Sequence, residues 1–306
     1  MKHDYDVIII GAGGAGMAAA IYTGRYELKT VVFTKDIGGQ AATTESIENY
    51  PGIEKIGGIE IMQNFHKHAE KSGAEFKFET VTKIEHLGEG KGFKITTEAE
   101  EYTSEVLIVA AGMKHRKLGV PGEDTFEGKG VAYCATCDAP LFKDKVTAVV
   151  GGGNSALEAA EFLSRVATKV YGIVRDGDYT GEAKLLDTVK NHEKIEIIYE
   201  SDTVEIKGDK FVEGIVIKNK AGEQKEIPIQ GVFVEIGWQA DTEWLGDLVE
   251  RNKWGEIIVT EKTETKTPGL YAAGDITNIF TKQLVASAGQ GCLAALRAIQ
   301  YIREGK

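Results

Sequence analysis

The sequence predicts an α/β fold with two βαβ nucleotide-binding domains, the second inserted into the first. The first observation is the segment VIIIGAGGAGMAAAIY, which begins at Val7 and runs from an apolar stretch through glycines into an alanine-rich helical pattern. The second is the segment TAVVGGGNSALEAAEF, which begins at Thr147 and repeats that order. Strand, glycine turn, helix and strand make up the Rossmann-like unit that binds a dinucleotide.

The first glycine turn fits the pattern G-x-G-x-x-G at Gly11, Gly13 and Gly16. The first glycine permits the tight turn, the second lets a pyrophosphate approach the backbone, and the third lets the helix pack closely on the strand. The β-rich run KTVVFTKD follows. Thr34 stands where an acidic residue for the ribose is expected, and Asp36, two residues later, is the carboxylate that could take its place.

A hairpin and a further strand are predicted next. The segment GFKITTEAEEYTSE has the alternation of a hairpin, and EVLIVAAG at residues 105–112 is an apolar strand pattern. The polar stretch MKHRKLGVPGEDTFEGKG contains glycine and proline, which is typical of a linker. The first part of the first domain is therefore predicted to end at residue 114.

The second unit is predicted from about Val131 to about Gly237, with its own β-rich segments after the helix. Gly151, Gly153 and Ala156 stand at the three motif positions. The run TKVYGIVRD then predicts the second strand of this unit, again without the usual acidic residue at its end.

The C-terminal segment has strand and helix patterns, GEIIVTEKTETKTPGLYAAGDI and QLVASAGQGCLAALRAIQYI, but no nucleotide motif. It is therefore predicted to return to the first domain. The predicted domains are 1–114 with 246–306 for the first, and 115–245 for the second.

The composition excludes several functions. The formal net charge of −11 argues against nucleic acid and against anionic membrane surfaces. No stretch approaches the ~18 apolar residues of a membrane span, and the opening residues lack the pattern of a signal peptide. Three cysteines do not make a secreted disulfide framework. We therefore expect a cytoplasmic protein without a nucleic-acid or membrane partner.

A Cys-x-x-Cys pair, Cys134 and Cys137, is followed directly by Asp138. A zinc site would need two more ligands at matching spacing, and neither Cys292 nor the six histidines supply them. A structural disulfide would not last in a reducing cytoplasm. A redox dithiol remains, with Asp138 beside it as a proton donor and no metal.

With these motifs the chain resembles the low-molecular-weight thioredoxin reductases of bacteria and archaea over nearly its whole length. The segments that carry the resemblance are GAGGAG, GGQAATTESIENYPG, YCATCDAPLFK, GGGNSALEAAEFL and YAAGDI with KQLVASAGQGC. The second half is also similar to the flavoprotein component of alkyl hydroperoxide reductase, at CDAPLFK, GEII and TKQ. The resemblance implies an FAD-dependent disulfide oxidoreductase that acts on thioredoxin or a thioredoxin-like protein and forms a homodimer.

The resemblance also implies the site residues. For FAD they are Gly11, Gly13, Gly14, Gly16, Gly39, Gln40, Asn49, Gly112, Gly274, Asp275, Lys282, Gln283 and Leu284. For a nicotinamide nucleotide they are Gly151, Gly153, Asn154, Ala156 and Arg175.

The family pattern assigns a role to each member of the Cys-x-x-Cys-Asp motif. Cys137 is the flavin-side sulfur, Cys134 is the thiolate that attacks the partner disulfide, and Asp138 is the acid–base residue. Spacing alone makes Asp275 a plain turn residue, whereas the family makes it the ribityl ligand. The family also rotates its second domain against the first, which makes 113–121 and 237–245 the candidate hinges.

One departure from the family concerns the electron donor. NADPH-dependent members bind the extra phosphate with His-Arg-Arg-x-x-x-Arg, and the aligned residues here are Val174, Arg175, Asp176 and Thr180. Each lost charge-assisted contact is worth ~1.5–3 kcal/mol, and Asp176 adds repulsion. NADH-dependent relatives have glutamate where Val174 stands. We expect NADPH to be a poor donor, and the donor stays open among NADH, NADPH, a ferredoxin and a reduced deazaflavin.

Other functions remain as alternatives. A reductase of a peroxiredoxin system, acting through a small redox protein, uses the same motifs. A ferredoxin–NADP reductase of similar form lacks the Cys-x-x-Cys, so Cys134 and Cys137 count against it. A nucleotide-binding redox sensor would not need Asp138 beside the pair.

Overall fold

The computed structural model describes residues 2–44 and 46–305. Its strands are β1 Tyr5–Ile10, β2 Thr30–Phe33, β3 Glu75–Lys77, β4 Val81–His86, β5 Phe93–Thr97, β6 Glu101–Val109, β7 Lys114–His115, β8 Val131–Ala132, β9 Val146–Val150, β10 Lys169–Ile173, β11 Ile195–Ile198, β12 Ser201–Gly208, β13 Val212–Asn219, β14 Gln224–Pro228, β15 Gly231–Val234, β16 Trp238–Gln239 and β17 Leu270–Ala272. Its helices are α1 Gly14–Arg25, α2 Gly58–Lys71, α3 Ala135–Asp138, α4 Asn154–Ser164, α5 Ala183–Lys190 and α6 Leu284–Glu304, with short 3-10 helices at Gly39–Thr43, Ala139–Phe142 and Glu243–Leu248.

The chain divides into two compact units. The first comprises Met1–Lys114 and Gln239–Lys306, and the second comprises His115–Trp238. The sequence predicts the return to the first domain after residue 245, and the first compact unit resumes at Gln239. Leu245 explains the difference, because its side chain is buried in a cluster with Ile8 of β1 and Val249, and so belongs to the first unit.

The first unit is built on a sheet in the order β3-β2-β1-β6-β5-β4, with β17 also paired to β6. β2, β6 and β17 run parallel to their neighbours in the middle of the sheet, while β4, β5 and β6 form antiparallel pairs. β1 and β2 are apolar and almost wholly buried, which is typical of parallel strands covered on both faces.

Two helices of the first unit cross at very short distance. A Cβ added at Gly291 of α6 would lie 2.0 Å from the carbonyl oxygen of Ala15 in α1. α6 ends at Gly305, whose left-handed backbone is the usual C-terminal stop of a helix. The C-terminal helix therefore packs into the same core as the first glycine turn.

The second unit has a wholly parallel sheet in the order β11-β10-β9-β15-β8. α4 covers one face of it together with α5, and the antiparallel sheet β12-β13-β14 covers the other. The predicted α/β fold with two Rossmann-like βαβ units, the second inserted into the first, is confirmed. Within the described residues, no helix is long and apolar enough to cross a bilayer.

Candidate active site

The first glycine turn follows β1 and contains two kinds of glycine, those packed against protein backbone and one that borders open space. Gly11 has a φ of +106°, and a Cβ there would lie 2.3 Å from the Ala110 carbonyl oxygen. A Cβ at Gly16 would lie 1.8 Å from the carbonyl oxygen of Gly11. A Cβ at Gly13, in contrast, would meet no protein atom within 4 Å. The protein itself requires Gly11 and Gly16, while Gly13 borders open space.

That open space also borders Gly39, at the start of the 3-10 helix Gly39–Thr43. A Cβ at Gly39 would have only the Cα of Gly13 nearby, at 3.9 Å. Gln40 follows and is exposed. Two bare glycine backbones from separate segments therefore face each other without a side chain between them, which leaves room for a ligand to approach both.

Further predicted residues lie at the same edge of the sheet. Chain order reverses beside β1, because β2 lies on one side of it and β6 on the other. Ligands bind beyond the carboxyl ends of parallel strands at such a switch point. Gly112 follows β6 and Gly274 follows β17, both with positive φ. The structure thus brings Gly11, Gly112 and Gly274 to one edge.

Asp275 is fixed by α6 rather than left in a mobile turn. Its Oδ1 accepts a hydrogen bond of 2.6 Å from Ser287 Oγ. Gly14 lies against the same helix, because a Cβ there would sit 2.5 Å from Cδ1 of Leu284. Gly14 therefore serves close packing of α1 on α6 in this structure.

Lys282 and Gln283 precede α6 and are tied to neighbouring segments. Lys282 Nζ donates to the Asp275 carbonyl at 2.9 Å and pairs with Glu256 Oε1 at 2.9 Å. Asn49 Nδ2 donates to Gln283 Oε1 at 2.9 Å. The ammonium group of Lys282 is thus bound by protein groups. The Asn49–Gln283 hydrogen bond links the segments GGQAATTESIENYPG and KQLVASAGQGC.

The second glycine turn repeats the arrangement of the first. Gly151 has a φ of +154°, and a Cβ there would lie 2.2 Å from the Glu235 carbonyl oxygen. A Cβ at Gly153 would meet no protein atom within 4 Å. Asn154 Oδ1 accepts the backbone N–H of Glu182 at 2.7 Å. Ala156 is buried, so its side chain packs inside the unit.

The end of β10 offers little positive charge for a phosphate. Val174 is buried, while Arg175 and Asp176 are exposed. Arg175 Nε lies 4.0 Å from Asp176 Oδ1. Thr180 Oγ1 donates to the Gly152 carbonyl at 3.1 Å. The single arginine of the motif therefore stands next to a carboxylate.

Cys134 and Cys137 form a disulfide, with their Cα atoms 5.4 Å apart. Cys134 precedes α3 and is half-buried, and Cys137 lies within α3 and is exposed. The backbone N–H of Cys137 points to Cys134 Sγ at 3.2 Å, at the N-terminal end of that short helix.

Asp138 ends α3 directly after the disulfide. Its backbone N–H donates to the Cys134 carbonyl at 3.1 Å. Burial raises the pKa of its carboxyl above the usual value for aspartate. Asp138 therefore keeps its proton to a higher pH than a free aspartate does, as a proton donor requires.

Glu235 is a residue near the second turn that sequence reasoning missed. Burial, with a smaller contribution from the nearby Glu158 carboxylate, raises its pKa to about 8. The available signal was a charged residue directly after the apolar strand GVFV. In residues 2–44 and 46–305, no three or more His, Cys, Asp or Glu side chains are placed to hold a metal ion.

Comparison with known proteins gives a consistent result. The sequence profile described as pyridine nucleotide-disulphide oxidoreductase matches residues 5–291. The thioredoxin reductase of Bacillus subtilis (strain 168) is 39% identical over 304 residues, which cover 98% of this chain and 95% of that protein.

Solved structures agree. The thioredoxin reductase of Lactococcus lactis has a TM-score of 0.88 and 38% identity, with 98% of this chain and 100% of that chain covered. The T. acidophilum thioredoxin reductase has a TM-score of 0.86 and 36% identity, with 98% and 100% covered. A ferredoxin-flavin thioredoxin reductase from Clostridium acetobutylicum is 35% identical, with a TM-score of 0.55 and 98% of each chain covered.

Proposed function

The chain belongs to the pyridine nucleotide-disulphide oxidoreductase family, as a disulfide reductase of the low-molecular-weight thioredoxin reductase type, and from that premise we propose how its residues act. The resemblance predicted from the motifs is thereby confirmed. Membership implies FAD and a nicotinamide nucleotide as cofactors, and thioredoxin as the substrate partner. The proposal is that Cys134 and Cys137 pass electrons from a low-potential donor, by way of FAD, to a thioredoxin-like protein.

The first unit is the proposed FAD site. The open space between Gly13 and Gly39 supports it, because two bare backbones there can approach a pyrophosphate. Asp275, fixed by Ser287, would hold the ribityl chain. The proposed set is completed by the other residues at this edge, namely Gly11, Gly14, Gly16, Gln40, Asn49, Gly112, Gly274, Lys282, Gln283 and Leu284. FAD, when bound there, supplies the electron pair that reduces the disulfide.

The chemistry of the cysteine pair balances as two exchange steps. Reduction breaks the Cys134–Cys137 bond and adds two electrons and two protons, which leaves two thiols. The Cys134 thiolate then attacks the partner disulfide and forms a mixed disulfide, releasing one partner thiolate. Cys137 attacks the Cys134 sulfur, re-forms the original disulfide and releases the second partner thiolate. Asp138 would protonate a departing thiolate, which its raised pKa supports.

The disulfide beside Asp138 in a unit with its own glycine turn is the observation that carries this proposal. This arrangement favours a disulfide reductase over a flavoprotein reductase in which no protein disulfide takes part in electron transfer.

NADPH is proposed to be a poor donor. Arg175 is the single arginine at the motif positions, and the Asp176 carboxylate lies beside it. Thr180 replaces the last arginine and bonds to the backbone instead. Loss of two charge-assisted contacts would weaken binding by about a hundredfold or more. A ferredoxin is the second candidate donor, because a relative of 35% identity carries the name ferredoxin-flavin thioredoxin reductase.

Anaerobic reduction of the bound FAD, followed by absorbance with each donor, tests the proposal. A reduced ferredoxin or deazaflavin should bleach the flavin rapidly, and NADPH at low micromolar concentration should not. Replacing Asp176 and Thr180 by arginine should speed reduction by NADPH. Replacing Asp187 and Thr188 by arginine, the same exchange of residue types at exposed positions of α5, should not.

The same assay examines the cysteines. Cys134→Ser should abolish reduction of the partner and leave reduction of the flavin intact. Rapid bleaching of the wild type by low micromolar NADPH would contradict the donor proposal. Unchanged partner turnover by Cys134→Ser would contradict the role of the disulfide.

A further inference from the structure

Glu235 lies at the switch point of the second unit. β9 sits between β10, which follows it in the chain, and β15, which returns much later. The carboxyl ends of β9 and β15 therefore form the crevice in which a dinucleotide binds. Gly151 is the first residue beyond β9, and Glu235 is the first beyond β15.

Backbone contacts fix Glu235 against the glycine turn. Its N–H donates to the Val150 carbonyl at 2.8 Å. Its own carbonyl oxygen stands 2.2 Å from the place that a Cβ of Gly151 would take. The residue is thus held next to the turn that receives a pyrophosphate in this fold.

Alternation along β15 places the side chain of Glu235 on the α4 side of the sheet. Side chains two residues apart on a strand share a face, and Phe233 packs with Ala156 and Leu157 of α4. Glu158, in the second turn of α4, acts on the Glu235 carboxyl electrostatically. The Glu235 carboxyl therefore lies beside the first turns of α4.

The charged groups around Glu235 are acidic. Glu158 is itself influenced by Glu161 and Glu182. β8 and β9, which flank β15, carry no charged side chain. β13 packs on the opposite face, and its charged side chains Glu213 and Lys218 are exposed. No cation among the described groups shifts the pKa of Glu235.

We propose that Glu235 is a specificity-determining residue, whose carboxylate hinders the pyrophosphate of a nicotinamide nucleotide from reaching the turn Gly151–Gly153. The phosphates carry negative charge and would bind at the N-terminus of α4, where a nearby protein carboxylate repels them. This inference rests on the proposed function, in which NADPH is a poor donor, and adds to the missing arginines a second cause that acts above a pH of about 8, where the carboxyl is charged.

The sign of the pH dependence follows from the raised pKa. The carboxyl is neutral below a pH of about 8 and charged above it. Repulsion is therefore absent at lower pH and appears as the pH rises through that value. Binding of a pyrophosphate should weaken over the same range.

Isothermal titration calorimetry of the FAD-loaded protein with ADP-ribose tests the inference. ADP-ribose contains the pyrophosphate and lacks both the nicotinamide ring and the extra phosphate of NADPH, and bound FAD fills the first unit. The titrations are made at about pH 6.5 and about pH 9.5, on either side of the titration of Glu235.

For the wild type, Kd should rise about tenfold between the two pH values, as expected for about 1.4 kcal/mol of repulsion. Glu235→Gln should bind ADP-ribose at both pH values with a Kd close to that of the wild type at the lower pH. Glu235→Ala is a second variant that removes the carboxyl without the amide, and it should behave likewise. Glu213→Gln removes an exposed carboxyl from the same unit and should follow the wild type.

Equal Kd values for Glu235→Gln, Glu235→Ala and wild type at about pH 9.5 would overturn the inference. The proposed function would survive that result if NADPH still failed to reduce the wild-type flavin. Tight binding of both ADP-ribose and NADPH to the wild type at both pH values would overturn the inference and the donor proposal together.

Discussion

Asp138 is the residue whose role depends most on its local environment. Its carboxyl is close to the disulfide in sequence, and burial raises its pKa. A proton donor of this kind loses activity as the pH rises through its raised pKa, because the charged form has no proton to give.

We predict that Asp138→Asn lowers kcat/KM for the partner by about a hundredfold, since general acid catalysis contributes about 10²–10⁴-fold. The alkaline decline that Asp138 causes should also disappear from the pH profile. Steady-state rates over a range of pH measure both effects. An unchanged profile in Asp138→Asn would show that another group supplies the proton.

Glu235 should also affect stability in a pH-dependent way. Its pKa is about 8 in the folded protein, against a reference value of 4.5. Below the reference value both states are protonated, and the folded state loses stability as the pH rises through the folded pKa. Part of this loss is screened, because the group is only half-buried.

We predict that Glu235→Gln raises Tm relative to wild type above about pH 8 and not near about pH 4.5. The gain corresponds to about 1–2 kcal/mol, or roughly 2–6 °C. Differential scanning calorimetry of Glu235→Gln and the exposed control Glu213→Gln measures it. Equal Tm values at high pH would contradict the raised pKa of Glu235 in the folded protein.

At the residue scale, the sequence predicted those functional residues whose partners are close to them in the chain. The spacing of Cys134 and Cys137 indicated a redox pair, and the structure has them joined. Glu235 could not be found in that way, because its pKa depends on burial beside α4 and on Glu158, which lies far away in the chain. The extra packing role of Gly14 likewise depends on Leu284, from the other end of the sequence.

At the scale of elements, the first glycine turn contains one glycine that the fold requires and one that is available for ligand binding. A Cβ at Gly16 would clash with the backbone of Gly11, at 1.8 Å. A Cβ at Gly13 would reach open space, where only a ligand could meet it. Two substitutions of the same size in one turn should therefore have different consequences.

We predict that Gly16→Ala lowers the free energy of unfolding by about 1–3 kcal/mol, because the added methyl group overpacks the turn. Gly13→Ala should cost less than about 1 kcal/mol, the difference between glycine and alanine before a helix. It should nevertheless weaken FAD binding about tenfold or more. Denaturant unfolding of the FAD-free protein and FAD titration measure the two effects. Normal FAD affinity in a stable Gly13→Ala protein would argue against a pyrophosphate at this turn.

Long apolar runs predicted the main elements well. β1 and β9 are continuous buried runs, and each is followed by the predicted helix. Two-residue strands such as β7 and β16 were not predicted, because they exist only through pairing between residues far apart in the chain. The second boundary of the compact units differs from the predicted one for the same reason, since Leu245 is assigned by its contacts and not by local composition.

At the scale of the whole molecule, we propose a homodimer, as the family resemblance implied. Val285, Leu293 and Leu296 are exposed apolar residues, and their spacing puts them on one side of α6. Burial of such a surface against a second copy would remove it from water. Sedimentation equilibrium of the wild type should give about twice the mass of one chain. Leu293→Glu should lower the measured mass toward that of a single chain. A single-chain mass for the wild type at micromolar concentration would contradict the dimer.

The central claim is that electrons leave the protein through the Cys134–Cys137 pair as a thiol–disulfide exchange with a protein partner. The most direct measurement is peptide mapping by mass spectrometry, after reduced enzyme is mixed with thioredoxin whose resolving cysteine has been replaced and whose remaining cysteine is activated as a mixed disulfide with thionitrobenzoate, the thiolate that leaves on exchange. Enzyme with Cys137→Ser should carry the partner as a disulfide on Cys134, and Cys292→Ser, which leaves the pair intact, should turn over as wild type. The account would be contradicted if no adduct formed at Cys134 or Cys137 while the wild type still reduced thioredoxin.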